Sequence, residues 1–92
     1  MKTQLFAVYD SKAEIYEKPF HMQTVGQALR GFTDVINDKE TPLGQHPEDY
    51  TLFHIGDYDN TTANFNIYES KKSLGNGIEF LETLDILKEQ TA

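Results

Sequence analysis

The stretch TVGQALRGFTDVIND, residues 24–38, has the clearest periodic pattern in the chain and decides the fold class. Apolar residues recur at helical spacing, which is typical of a helix with one face in a core: Val25, Ala28, Leu29, Phe32, Val35 and Ile36. Thr24 suits the N-cap, with Gln27 three residues later as in a capping box. Gly26 and Gly31 weaken a helix by up to ~1 kcal/mol each and indicate close packing on a neighbour. The pattern predicts the main helix at about 24–38.

Strand patterns precede this helix. The segment TQLFAVYD (3–10) alternates and is rich in β-forming residues, so we predict a strand at 3–9 that is buried on both faces or nearly so. Pro19 removes a backbone donor and restricts the residue before it to extended geometry. The intervening segment is therefore predicted to be a loop leading to a short edge strand around residues 16–22.

The segment HPEDYTLFHIG (46–56) begins a predicted hairpin. Pro47 suits the first position of a short helical turn, with acidic residues just after it. Alternation then predicts a strand at 50–57, turn residues at 56–63 and a return strand at 64–69. One side of the first strand would carry Tyr50, Leu52 and His54, and the other Thr51, Phe53 and Ile55; on the return strand, Phe65 and Ile67 would share a face.

The remaining segments complete the fold prediction. SLGNG (73–77) is typical of a loop, and residues 77–90 have apolar spacing that predicts a short acidic C-terminal helix. The order of elements predicts an α+β fold: a single domain, 1–92, with a small, mostly antiparallel sheet and helices on one face. One helix cannot cover the apolar residues on both sides of the strands, so we expect a homodimer.

Composition narrows the function further. The chain has 92 residues, no cysteine and a net charge of −7. It therefore has no disulfide framework or thiolate metal site, and a strong nonspecific nucleic-acid binder is disfavoured. No segment approaches a signal peptide or a membrane span, so we expect no membrane contact. Residues 1–31 hold four basic and three acidic residues, but residues 32–92 hold four basic and twelve acidic ones.

Candidate catalytic and metal-binding residues are scattered. His21, His46 and His54 have no spacing typical of a zinc or iron site, so His46 is interpreted as a turn cap and His54 as half exposed on a strand. Glu48 and Asp49 are better placed to oppose a helix dipole than to act as an acid–base pair. DYDN (57–60) lacks the glycine and glutamate of a calcium loop, and GNG (75–77) lacks the lysine of a phosphate loop. We predict no catalytic residue, no metal and no cofactor, and hence no enzyme.

The N-terminal third interleaves aromatic and basic residues. Single-stranded nucleic-acid sites need this mixture, because rings stack on bases and ammonium groups meet phosphates. The candidate nucleic-acid-binding residues are Lys12, Tyr16, Lys18 and Phe20, with Arg30 reaching the same side from the helix; Tyr9 belongs to the same stretch.

Three stretches together resemble the small nonstructural protein of gokushoviruses, the single-stranded DNA phages of the Microviridae. They are YDSKAEIYEKPF (9–20), FTDVINDKETPLGQHPEDYTLF (32–53) and IGDYDNTTANF (55–65). The matching motif residues are Asp10, Lys12, Tyr16, Pro19, Phe20, Phe32, Thr33, Asp34, Asn37, Asp38, His46, Pro47, Glu48, Asp49 and Tyr50. The resemblance implies a DNA-binding protein made in the host bacterial cytoplasm, assisting single-stranded genome synthesis or packaging and not acting as an enzyme.

Two functions remain open at this point. One is weak binding of single-stranded DNA through the N-terminal aromatic and basic residues. The other is an acidic protein–protein interaction module that contacts viral or host replication or packaging proteins without touching DNA. Salt dependence separates them, because affinity for a single strand falls with a log–log slope near −0.7 for each phosphate contacted.

Overall fold

The computed structural model describes residues 1–82, in which five strands form one antiparallel sheet beside one main helix. The strands are β1 (Lys2–Asp10), β2 (Ile15–Tyr16), β3 (Phe20–Met22), β4 (Tyr50–Asp59) and β5 (Asn64–Asn76). The helices are α1 (Val25–Ile36) and the short α2 (Pro42–Gln45), with 3-10 turns at Pro47–Asp49 and Gly77–Phe80. The predicted α+β class, with a mostly antiparallel sheet, is confirmed. The single-domain boundary at 1–92 stays a prediction.

The strand order is β2-β1-β4-β5, and β3 also pairs with β1. The two short strands share the outer edge of β1: Tyr9 lies opposite Tyr16, and Phe6 lies opposite Phe20. Directly opposed residues share a face, whereas residues an odd number of positions apart on a regular strand point to opposite faces. The sheet therefore has a helix-side face, which contains Phe6, and an open face, which contains Tyr9.

The hydrophobic core lies between α1 and the helix-side face. Its buried members are Phe6, Val8, Ala28, Phe32, Ile36, Tyr50 and Leu52. Each large apolar side chain buried in this way stabilises the fold by roughly 1.5–3 kcal/mol. The expectation that β1 is buried on both faces is also met, since Leu5, Phe6, Ala7 and Val8 are all buried.

Both ends of α1 are fixed by side chains. The Gln27 N–H donates to Thr24 Oγ1 at 3.1 Å, which confirms Thr24 as the N-cap. At the other end, Asn37 Nδ2 donates to the carbonyl oxygens of Thr33 and Phe80, at 2.8 and 2.9 Å. The expected close packing at the helix glycines is wrong, because a Cβ on Gly31 would meet nothing within 4 Å.

The hairpin is longer than the sequence predicts. β4 continues to Asp59 and β5 to Asn76, so the predicted loop at 73–77 is wrong over most of its length. Gly75 pairs with Leu52 and Asn76 with Thr51. Ladder hydrogen bonds to β4 therefore outweigh the turn-forming tendency of the Gly and Asn residues.

The predicted C-terminal helix at 77–90 is not seen in its first six positions. A 3-10 turn covers Gly77–Phe80, and Leu81 then has extended backbone with ψ 140°. The turn has its own capping box, in which Asn76 and Glu79 hold each other's backbone N–H groups. The rest of the predicted helix lies outside the described residues. Among the helices of residues 1–82, none is long and apolar enough to cross a membrane.

Candidate nucleic-acid interface

The open face is built from four rows of residues that lie side by side across β1, β4 and β5. The rows are Thr3–Tyr58–Phe65, Leu5–Gly56–Ile67, Ala7–Phe53–Ser73 and Tyr9–Thr51–Asn76. These positions contain four aromatic residues and no carboxylate. No described helix covers this face, since α1 packs on the other side. The paired positions of the open face are thus uncharged and partly aromatic.

Three rings form an aromatic cluster at one end of the open face: Tyr9, Tyr16 and Phe53. The centroids of Tyr9 and Tyr16 are 4.8 Å apart, and those of Tyr16 and Phe53 are 5.6 Å apart. Tyr16 is 46% exposed, although its neighbours hold it in place. Because a ring that is both exposed and oriented can stack on a planar ligand with little loss of side-chain entropy, Tyr16 suits a contact residue.

A second aromatic pair lies at the other end of the open face. Tyr58 and Phe65 have ring centroids 4.7 Å apart, and Phe65 is 66% exposed. Together with Leu5 and His21 they line a shallow slot of about 260 Å³. His21 reaches this face from β3, where it lies opposite Leu5.

The aspartates of β1 and β4 lie on the other face. Asp10 pairs with Tyr50, Asp57 with Gln4, and Asp59 with Lys2. All three pairs alternate with the rows of the open face and therefore lie on the helix-side face. Burial, and then the nearby carboxylates of Asp10, Glu17 and Asp49, raise the pKa of Tyr50. The three paired aspartates therefore lie away from the open face, whereas Glu69 of β5 is exposed and lies outside the paired rows.

The predicted site residues divide into two groups. Lys12, Tyr16 and Lys18 lie together at the outer edge of β1, all exposed, with the lysines in the loops that flank β2. Phe20 instead stacks on Phe6 at 5.6 Å on the helix-side face, because it pairs opposite Phe6. Arg30 is exposed on α1, two positions from the buried Ala28. Phe20 and Arg30 are thus separated from Tyr16 by the sheet.

Sequence reasoning missed most of the open face. Phe53, Tyr58 and Phe65 were not among the predicted contact residues, although alternation in the two hairpin strands already carried the signal. Alternation predicts Phe53 on the side opposite Leu52, and Phe65 on the same side as Ile67, and the structure has both arrangements. What one sequence could not supply is the strand order, which sets these residues beside Tyr9 and Tyr16.

His54 belongs to a polar cluster on the helix-side face. Its Nε2 lies 2.9 Å from Gln4 Oε1, and its ring packs on Phe6 and Tyr68, each with centroids 5.0 Å apart. The prediction that His54 is half exposed is wrong, since only 8% of it is exposed. Burial is the main cause that lowers its pKa, and Lys72 adds to the effect, while the Gly56 backbone and Asp57 oppose it.

One group of side chains could in principle hold a metal ion. Its ligand atoms lie within 4.8 Å of one another and belong to His46, Glu48 and Asp49. All three come from one tight turn, and His46 and Glu48 are exposed, an arrangement that surface acidic turns adopt without an ion. His46 occupies the N-cap position of the 3-10 turn, but its side chain makes no capping hydrogen bond. The prediction of no metal and no catalytic residue stays a prediction.

A family model described as Phage ORF5 protein matches residues 3–80. The match runs from β1 through the last 3-10 turn, so it includes all the strands that form the open face. No curated protein and no solved structure matches the chain significantly.

Proposed function

The chain belongs to the Phage ORF5 protein family, and on that premise we propose that it is a phage nonstructural protein that binds single-stranded DNA weakly through the open face. The observation that carries this proposal is an uncovered sheet face with oriented aromatic rings and no carboxylate in its rows. In the host cytoplasm such binding would assist viral single-stranded genome synthesis or packaging, with viral or host replication proteins as partners.

Stacking supplies most of the proposed affinity. Tyr16 offers an exposed ring face to an unstacked base, and Tyr9 and Phe53 hold that ring in position. Each base stacked on an aromatic side chain contributes about 1–3 kcal/mol. One stacked base with a few phosphate contacts therefore gives weak affinity, with a dissociation constant well above ~1 μM. Duplex DNA binds more weakly, because its bases are already stacked on one another.

Phosphate contacts come from the loops beside Tyr16. Lys12 lies in the β1–β2 turn and Lys18 in the β2–β3 loop, and both are exposed. If both meet phosphates, the logarithm of the association constant falls with the logarithm of salt concentration at a slope of about −1.4. A small salt dependence is expected for this protein, because its net negative charge repels DNA and leaves only a few local phosphate contacts.

The proposal is tested by anisotropy titrations of labelled oligothymidine at low and moderate salt. The parent protein should bind, Tyr16→Ala should weaken binding at least fivefold, and Lys12→Glu with Lys18→Glu should abolish it. Lys39→Glu is the matched control for charge, because Lys39 is an exposed lysine outside the open face, in the loop after α1. A parent protein that does not bind, or equal losses for Lys39→Glu and for the double variant, would refute the proposal.

The alternative is an acidic interaction module that binds a basic protein surface without DNA. The observation that favours it is the group of carboxylates around Tyr50, contributed by Asp10, Glu17 and Asp49. A module of this kind would bind a polylysine peptide in a salt-sensitive manner. Glu17→Gln with Asp49→Asn would remove that binding, but would leave any single-stranded DNA affinity unchanged or stronger.

A further inference from the structure

The slot at the far end of the open face has the shape and lining of a second stacking position. Its lining residues are Leu5, His21, Tyr58 and Phe65, and its volume is about 260 Å³. Gly56, which lies opposite Leu5 on β4, adds no wall to the slot, because a Cβ there would clash with the Asn66 backbone of β5. The slot is open to solvent, lined mainly by apolar and ring atoms, and free of carboxylates.

The occupant suited to this slot is a single unstacked nucleobase. Tyr58 and Phe65 form one side and His21 another, so a flat ring could contact rings while resting on Leu5. Phe65 is 66% exposed, an arrangement that leaves most of one large apolar side chain in water. We infer that this slot takes one base of the same DNA strand whose other bases stack at Tyr16; the inference rests on the proposed function.

The spacing of the two positions determines how long the strand must be. The stacking rings are Phe65, in the row of Thr3, and Tyr16, opposite Tyr9, so their rows lie six residues apart along β1. At ~3.3 Å per residue this is about 20 Å, and the three strand spacings of ~4.8 Å from β2 to β5 give about 14 Å across the sheet. The separation of about 24 Å corresponds to about seven nucleotide steps at the ~3.4 Å rise of a stacked strand. A trinucleotide therefore fills one position, whereas a decanucleotide can reach both.

The test compares the affinities of oligothymidines of three and ten nucleotides for four proteins: the parent, Phe65→Ala, Tyr16→Ala and Ile78→Ala. For the parent, lengthening the strand from three to ten nucleotides should raise the affinity at least fivefold beyond the increase that the additional phosphate contacts give. Phe65→Ala should remove this extra increase in affinity. Tyr16→Ala should weaken binding of both lengths. Ile78→Ala is the matched control, because Ile78 is 55% exposed but lies in the last 3-10 turn and does not line the slot.

The outcomes separate the two proposals. If Phe65→Ala keeps the full gain with length while Tyr16→Ala loses affinity, the slot is not a stacking position, and the proposed function stands without it. If the parent binds neither oligonucleotide, or if neither aromatic variant loses affinity, both proposals are wrong. Thermal melting checks the fold of each variant, and Phe65→Ala should melt near the parent because Phe65 is largely exposed.

Discussion

Phe32 is 5% exposed and packs edge-on against Phe80, with ring centroids 5.4 Å apart. Phe32→Ala should lower the free energy of unfolding by about 3–5 kcal/mol, because it removes a large core side chain and leaves a cavity. Urea denaturation measures the change. Val35→Ala on the same helix is the control, since Val35 is 38% exposed and should cost much less. Equal losses for the two variants would contradict the assigned core.

His54 makes the fold sensitive to acid. Its pKa is lowered in the folded state, mainly by burial, so below pH ~6.5 the unfolded chain binds a proton that the folded chain does not. This contribution to stability is complete above pH ~6.5 and is lost as the pH falls toward the lowered value. The free energy of unfolding should therefore decrease as the pH is lowered through ~6.5. His54→Gln should flatten that decrease.

Two other histidines provide controls for the pH experiment. His21→Gln and His46→Gln control for the substitution itself, because both side chains are exposed and lie outside the cluster around His54. The lowered pKa of Asp59, caused first by the Thr61 backbone N–H, affects stability only at more acidic pH, near and below 3.8. A His54→Gln variant that loses stability with pH as steeply as the parent would exclude His54 as the source.

Phe32 and His54 differ in what a sequence can reveal about them. Phe32 is one of several apolar residues at helical spacing, and a helix face is a local pattern. His54 is buried by Tyr68 of β5 and Gln4 of β1, which approach it only after the sheet has formed. Contacts between distant parts of the chain therefore made the difference between a correct and an incorrect prediction of burial.

Among the elements, α1 and β5 each contain a glycine whose substitution should have opposite effects. Gly31→Ala should stabilise the protein by about 0.5–1 kcal/mol, because α1 has space for a Cβ there and alanine favours helix. Gly75→Ala should destabilise it by at least ~1–3 kcal/mol, because Gly75 has φ 141° and a Cβ would lie 2.8 Å from the Phe80 ring. Thermal melting of both variants measures the contrast. A Gly31→Ala variant less stable than the parent would indicate a contact at that position.

The helix was predictable almost to the residue, and the last strand was not. The predicted helix at 24–38 became Val25–Ile36 with Thr24 as its cap, because the signals that begin and end a helix are adjacent in sequence. The return strand predicted at 64–69 extends to Asn76. Its continuation depends on pairing with β4 across two register shifts, which local composition does not encode.

At the scale of the whole molecule, the homodimer stays a prediction, now with two surfaces that could support it. The open face leaves Phe65 and Ile67 largely exposed, and β5 forms one edge of the described sheet. Pairing through the β5 edge would keep both open faces free for DNA. Light scattering at tens of micromolar should give twice the mass of one 10.5 kDa chain. The mass of a single chain would contradict the prediction.

The candidate site was predictable only in part, for a reason of topology. Lys12, Tyr16 and Lys18 lie close in sequence, and in the fold the two lysines occupy the loops on either side of β2, which contains Tyr16. Phe20 is only four residues from Tyr16, yet it lies on the opposite face, because the chain passes from β2 to β3 between them. Because the loop between the two strands is irregular, the spacing of two residues in the sequence does not show whether they lie on opposite faces of the sheet.

We propose that single-stranded DNA binds the open face. The most direct test is a titration of isotopically labelled protein with unlabelled oligothymidine of ten nucleotides, followed by the backbone amide resonances. We expect shifts at Tyr9, Tyr16 and Phe53, with little change along the solvent side of α1. Shifts confined to α1 around Arg30, or no shifts at millimolar oligonucleotide, would contradict the account.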